Sequence, residues 1–283
     1  MWPAPCEYHR ARTVDDAVEL LADCPDARVL AGGLSLVPAM RRRRIRPAHL
    51  VDINAVRGLA VIGDDGGFVS VGATCRQETL LRWAGNPLLT DALAHTGTAQ
   101  TRQRGTVAGI VANGEPATQL AAACAVLDAT VTLRDTDGAR EESAVRLFAD
   151  GGVPRPALVA AVRFPVWLPA DGHAFLQAGR RAVGATIGGV AARVRLDASG
   201  TCVRADVAPF LSGHDGSRLP EVADGLLGTG LDDGDLADAA DMAAERVRAA
   251  GDVLATEDYR RHLVRVLVRR ALVMARARAR KGS

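Results

Sequence analysis

The chain of 283 residues has no long hydrophobic run. Nothing in it approaches the roughly 18 consecutive apolar residues that cross a bilayer, so no membrane insertion is expected. Aromatic residues make up only 4%. Nucleic-acid binding would interleave aromatics with basic residues or place both on a recognition motif, and the basic runs at 41–46 and 260–281 have neither, so they read as solvated or subunit-facing surface. Arginine far outnumbers lysine, and the formal net charge is only +2, so an Ala-, Gly- and Arg-rich composition explains the bias without special chemistry.

The five cysteines, Cys6, Cys24, Cys75, Cys124 and Cys202, are scattered and lack a CxxC pair or a Cys/His cluster at metal-ligand spacing. They read as buried or incidental thiols, and neither structural zinc nor an iron–sulfur cluster is expected on this chain alone. The six histidines are also scattered and read as surface or packing residues, and no triad of nucleophile, base and acid is evident, so no catalytic residue is assigned. The opening Met1-Trp2-Pro3-Ala4-Pro5 lacks the basic-then-apolar pattern of a signal peptide, and a cytoplasmic protein is expected.

What the sequence does have is 48% hydrophobic residues over a length that suits two or three compact units. It also has two glycine-rich turns. Ala31-Gly32-Gly33-Leu34-Ser35-Leu36 follows a β-like run at 27–30 and precedes a helix-like run beginning near Val37. A glycine pair between strand and helix lets backbone approach a ligand closely and turns free N–H groups towards an anion, most naturally a phosphate. The spacing is neither GxGxxG nor a loop ending in GK[ST], which excludes a Rossmann turn and a nucleoside triphosphate loop. About seventy residues on, Arg104-Gly105-Thr106-Val107-Ala108-Gly109 and Ala112-Asn113-Gly114-Glu115-Pro116 have the same character. Either turn alone has a purely geometric explanation, but one diphosphate gripped by both accounts for the pair.

Periodicity predicts a helix over 13–21 with Thr13 as N-cap and an apolar stripe of Val14, Ala17, Val18 and Leu21. Strands are expected at 28–30, 49–53 and 68–71, helices at 79–83, 88–94 and 118–127, and strands at 130–134 and 158–164, the last closed by Pro165. Residues 187–196 and 203–210 read as strands paired about the turn 197–200. A Gly/Asp-rich stretch at 225–234 then precedes helices over 236–251 and 259–280.

Taken in order, Tyr8-His9-Arg10-Ala11, the loop 31–40, Leu50-Val51-Asp52-Ile53-Asn54, Gly72-Ala73-Thr74 and the turn 104–109 resemble one family. Phe175 with Arg180-Arg181, Tyr259-Arg260-Arg261 and the run 266–272 extend the match over nearly the whole chain. The family is the FAD-binding medium subunits of molybdenum hydroxylases, as in aerobic carbon monoxide dehydrogenase and the flavin portion of xanthine dehydrogenase. The resemblance implies an α+β chain with a vanillyl-alcohol-oxidase-like (PCMH-type) FAD-binding fold of two α/β subdomains, 1–58 and 59–170, plus a small C-terminal α+β domain, 171–283. It implies FAD as cofactor, with its diphosphate on Ala31, Gly32, Gly33, Leu34, Ser35 and Leu36. Thr106, Ala108, Gly109, Asn113, Glu115 and Gln119 are implied towards the diphosphate and the ribityl chain. It further implies electron transfer from a [2Fe-2S] small subunit, beside a molybdopterin large subunit that oxidises the substrate.

The sequence departs from the family pattern at several places. Ala108 stands for a glycine, Gln119 for an aspartate, and Leu34 and Gln77 for common histidines, while 151–154 looks short and the C-terminal Gly-x-x-Pro-x-Arg element is altered at 212–218. A methyl at position 108 is expected to crowd cofactor-facing backbone. Two alternatives follow: a stand-alone flavin-dependent oxidoreductase or cyclase in a biosynthetic pathway, or a scaffold that has lost FAD and works as a cofactor-free cyclase or binding module.

Overall fold

The computed structural model describes residues 2–83, 85–180 and 186–282; Met1 and Arg181, which figured in the sequence reading, lie outside the described residues. The chain opens with β1 (Glu7–Arg10), α1 (Val14–Asp23), β2 (Arg28–Leu30), α2 (Leu36–Arg41), β3 (His49–Asp52), β4 (Ile62–Asp65), β5 (Phe68–Gly72) and α3 (Gln77–Trp83). It continues through α4 (Pro87–Ala94), α5 (Ala99–Arg102), α6 (Val107–Asn113), α7 (Gln119–Val126), β6 (Thr130–Asp135), β7 (Gly138–Ser143), α8 (Ala144–Ala149) and β8 (Leu158–Pro165). The last stretch holds β9 (Asp171–Gly179), β10 (Thr186–Leu196), β11 (Cys202–Leu211), α9 (Pro220–Leu226), α10 (Asp233–Arg246) and α11 (Glu257–Gly282). These elements form two compact units, one from residues 1–83, 98–115 and 129–165, the other from 84–97, 116–128 and 166–283.

The first unit has two sheets. A parallel one runs β1-β3-β2, and an antiparallel one runs β4-β5-β8-β6-β7. Helix α1 starts as expected, since Thr13 Oγ1 accepts the Asp16 amide at 3.0 Å and Ala17, Val18 and Leu21 are buried. Short parallel strands need a crossover, and α2 supplies it between β2 and β3, so the glycine turn at 31–36 lies where a strand ends and a helix begins. The antiparallel sheet buries Val71, Val131, Leu133, Val162 and Phe164, with Leu147 and Phe148 of α8 also in the interior.

The second unit is built on the antiparallel sheet β11-β10-β9. Side chains alternate across a strand, and in β9 both faces are used. Ala174 joins the apolar cluster with Val264, Val268, Ala271 and Ala275 of α11, while Phe175 stacks on Phe210 and meets His95, just past α4. The cluster is rich in alanine, and the helix comes close: a Cβ on Gly172 would lie 2.6 Å from the Ala279 nitrogen and 2.8 Å from its Cβ. Helix α7 is buried from Leu120 to Val126, and burial pushes the Cys124 thiol up to about 12. No described helix is long and apolar enough to cross a membrane.

The charged centre of this sheet is Asp171. Its carboxylate accepts from Arg193 at 2.6 Å and from Arg195 at 2.8 and 3.2 Å, with the aspartate side chain fully buried and that of Arg193 only 4% exposed. Burial alone raises its pKa, but the hydrogen bonds from Arg195 and Arg193 outweigh it and hold the carboxyl below its ordinary value. Arg260, 1% exposed, is equally committed, donating to Ile187, Ala250 and Ala255 carbonyls and to Asp252.

One sequence expectation is corrected here. The helix read over 236–251 stops at Arg246, where Val247 turns extended. The Ala250 amide donates instead to the Ser212 carbonyl, and the Ala250 carbonyl accepts from Arg260, so tertiary partners replace the next helical turn.

Candidate functional site

The two glycine turns meet within the first unit. A Cβ on Gly32 would overlap the Arg104 carbonyl oxygen and lie 3.2 Å from the Gly105 Cα, so only glycine permits this contact. Gly33 takes φ +74, the left-handed region, and a Cβ there would lie 3.2 Å from Leu30 and 3.3 Å from Val37.

Beyond Gly33 the chain enters α2, where Val37 donates to the Gly33 carbonyl and Ala39 to that of Ser35. Among the described residues, no protein acceptor is recorded for the amides of residues 32–36. Ser35 places no side-chain cap on the helix, and Leu34 is 41% exposed. Five successive amides without acceptors, beside the left-handed Gly33, are the kind of donor set that anion oxygens can accept from.

A relay of side chains fixes the two turns together. Asn54, just beyond β3, donates through Nδ2 to the Leu30 and Ala31 carbonyls at 3.2 and 3.0 Å, and its Oδ1 accepts from Arg76 at 2.6 Å. Arg76 then donates to the Arg104 carbonyl at 3.0 Å. Gln77 completes the support, its backbone amide donating to Gly105 at 2.8 Å and its Nε2 to the Thr106 carbonyl at 3.4 Å. Burial, and then the neighbouring charge of Arg104, ease the Arg76 pKa below the usual arginine value, which still leaves the guanidinium charged near neutrality.

Asp52 anchors the relay from behind. It accepts from the Asn54 amide at 2.8 Å and from the Tyr8 hydroxyl at 2.6 Å. Burial raises its pKa, but the bonds from Tyr8 and Asn54 more than offset that and hold the carboxyl below its usual value.

On the second turn, Thr106 is buried at 3% exposure and caps α6, its Oγ1 accepting the Gly109 amide at 2.9 Å. That leaves the hydroxyl proton to donate elsewhere. Ala108 is 4% exposed, so its methyl is covered by protein. Asn113 and Glu115 are exposed on either side of Gly114, whose left-handed φ of +65 ends α6 against Gly151 and Gly152. Residues 151–154, which looked short in sequence, thus begin by supporting the end of α6.

Gln119 belongs to the second unit. It opens α7, where its Nε2 donates to Gln177 Oε1 at 3.1 Å and Thr186 Oγ1 at 3.3 Å. The altered C-terminal element at 212–218 ends in Arg218, paired with Asp128 and Asp206. Sequence reasoning missed Arg76 altogether, used Asn54 only in the run 50–54 that matches the family and treated Gln77 only as a replaced histidine. Polar residues immediately after strands β3 and β5 were the available signal.

The donor set fits a diphosphate. The acceptor-free amides lie on a turn that tolerates no side chain at Gly32, and Arg76, with Arg104 near it, adds positive charge at the junction of the two turns. No carboxylate belongs to the relay except Asp52, which is already bonded to Tyr8 and Asn54.

Comparison with known proteins matches nearly the whole chain. Residues 4–167 match the family model of the FAD binding domain in molybdopterin dehydrogenase, and residues 173–275 match the CO dehydrogenase flavoprotein C-terminal domain. The chain is 35% identical to the 6-hydroxypseudooxynicotine dehydrogenase complex subunit alpha of Paenarthrobacter nicotinovorans, over 99% of this chain and 97% of that one. It is 32% identical to the carbon monoxide dehydrogenase medium chain of Afipia carboxidovorans, over 99% of each. Among solved structures, reconstituted CO dehydrogenase from Oligotropha carboxidovorans superposes with a TM-score of 0.90 at 31% identity, covering 98% of this chain and all of its own. The fold is therefore the PCMH-type FAD-binding fold with the flavoprotein C-terminal domain.

Proposed function

This chain belongs to the family of FAD-binding medium subunits of molybdenum hydroxylases, and from that premise we propose that its two joined glycine turns hold the FAD diphosphate for electron transfer inside a multi-subunit dehydrogenase. The observation that carries the proposal is the contact of Gly32 with the Arg104–Gly105 backbone, which puts the acceptor-free amides of 32–36 beside the second turn.

In this reading the amides of Gly32, Gly33, Leu34, Ser35 and Leu36 donate to diphosphate oxygens, with Ala31 held in place by Asn54. Arg76 and Arg104 offset the ligand's negative charge. Thr106 and Gly109 keep the second turn rigid, with Ala108 filling the interior beneath it, while the exposed Asn113 and Glu115 supply polar partners for the ribityl hydroxyls. FAD, when bound, can accept electrons singly from an iron–sulfur cluster and release a pair to a two-electron acceptor. The protein's share is binding, orientation and local charge, so no acid, base or nucleophile is required of it.

We assign the one-electron donor to a [2Fe-2S] small subunit and substrate oxidation to a molybdopterin large subunit, in the cytoplasm. This chain then never meets the organic substrate. Relatives named as a dehydrogenase complex subunit and a medium chain support that assignment.

Two measurements test it. The full chain should purify with flavin that denaturation releases. Gly33→Val, which forces a branched side chain to φ +74, should weaken retention more than tenfold, and Thr106→Ala, which loses a cap worth about 1 kcal/mol, by about fivefold. If both variants retain flavin like the parent, the diphosphate is elsewhere. Affinity isolation from the native host should co-purify iron–sulfur absorbance and molybdenum, whereas a yellow chain isolated alone overturns the complex and favours a stand-alone flavoprotein.

A further inference from the structure

Three side chains distant in sequence meet on the parallel sheet of the first unit. His9 comes from β1 and His49 from β3, adjacent strands, and Cys24 is the C-cap residue of α1. His9 Nε2 lies 3.0 Å from His49 Nδ1 and 4.0 Å from Cys24 Sγ, and the three potential ligand atoms all fall within 4.8 Å of one another. Glu7, also on β1, brings Oε2 to 3.5 Å from the same His49 nitrogen and 3.9 Å from that of His9. The imidazoles are 21–25% exposed and Glu7 is 74% exposed, so the cluster opens to solvent on the carboxylate side.

These separations suit a tetrahedral ion. Metal–nitrogen bonds of about 2.0–2.1 Å and a metal–sulfur bond of about 2.3 Å put nitrogen–nitrogen edges near 3.3 Å and nitrogen–sulfur edges near 3.6 Å. The observed 3.0 and 4.0 Å from His9 to His49 and Cys24 bracket those edges, while Glu7, 3.5 and 3.9 Å from the two imidazoles and outside the three-residue group, reaches a fourth position by rotating its exposed side chain. Two ring nitrogens at 3.0 Å share one N–H···N hydrogen bond between neutral imidazoles, and replacing that single proton by a metal ion lets both nitrogens act as ligands. Imidazole, thiolate and carboxylate together select a borderline transition-metal ion over calcium or magnesium.

We propose that His9, Cys24, His49 and Glu7 bind a single divalent transition-metal ion, zinc(II) first. Four protein ligands leave no open coordination position, so the ion is a structural clip joining β1, β3 and the end of α1. β3 leads directly to Asn54, so the clip braces the sheet that carries the first glycine turn. The site is independent of the flavin reading.

The test uses the full chain and cobalt(II) as a spectroscopic probe. One equivalent should give intense d–d bands of a four-coordinate site, to the red of flavin absorption, and zinc should displace it stoichiometrically. Loss of an outer-shell partner typically costs about 10–100-fold in metal affinity, and His49→Gln, which removes a ligand, should cost at least about 100-fold. Cys24→Ser should shift the bands and weaken binding, while Cys6→Ser, a part-exposed thiol outside the cluster, should leave both unchanged. Circular dichroism of each metal-free variant, matched to the parent, separates ligand loss from unfolding. The proposal is overturned if neither metal binds at micromolar concentration, if Cys24→Ser keeps the parent spectrum and affinity, or if Cys6→Ser loses as much as Cys24→Ser.

Discussion

In the first unit, Asn54, Arg76 and Gln77 draw two glycine turns together while five consecutive amides are left without protein acceptors. In the second, Asp171 is bonded on both oxygens to Arg193 and Arg195, and the Arg260 guanidinium is engaged from several sides. Both units bury polar groups with partners, as low-dielectric surroundings demand. In the first, five backbone amides in succession lack protein acceptors along the turn 32–36. Close approach has different purposes in the two: Gly32 admits backbone to backbone at the turn, whereas Gly172 admits helix α11 to the sheet interior. Ligand affinity and stability should therefore separate by unit when each is perturbed.

The sharpest way to break this comparison is the glycine pair. Gly32→Ala places a methyl on the Arg104 carbonyl oxygen and should reduce flavin retention more than a hundredfold, read by released flavin per protein. Gly172→Ala places one on the Ala275 carbonyl oxygen and should cost about 3 kcal/mol in denaturant unfolding through overpacking. If Gly172→Ala sheds flavin as readily as Gly32→Ala, the two regions are not separable in this way.

Asp171→Asn comes next, since removing one partner of a buried pair costs about 3 kcal/mol. Its pH dependence has a definite sign. The folded carboxyl titrates below its unfolded value, so its stabilisation is fully present above about pH 4 and is lost as pH falls through the folded value. Urea midpoints of parent and variant should therefore differ at pH 7 and converge in acid; a constant difference refutes the assignment.

Arg76→Met should have the smallest effect. It removes two hydrogen bonds but keeps much of the apolar stem, so about 1 kcal/mol and a fivefold weaker hold on flavin are expected, with the second unit's unfolding unchanged.

Much of this architecture was legible from local pattern. Thr13 with its apolar stripe gave α1, the turn at 197–200 between two strand-like runs gave β10 and β11, and the two glycine turns stood out because their composition has a direct backbone consequence. The missed strands lack the usual alternation of apolar and polar residues: β1, β4 and β7 are polar edge strands, and β9 carries Asp171 and His173 into the interior. Burial of Asp171 is tolerable only because arginines on β10 reach it. Cys24 was read as an incidental thiol because spacing along the chain was the criterion, and its two histidine neighbours arrive from strands that become adjacent only on folding.

Sequence alone determined many of the elements, the family and the place of two glycine turns, because glycine, caps and apolar periods act over a few residues. Tertiary structure alone decided that Gly32 touches the second turn, that Asn54 and Arg76 span the gap, and that His9, Cys24 and His49 share a corner. Such contacts depend on which distant segments sheet pairing and core burial bring side by side, and short-range spacing carries no record of that.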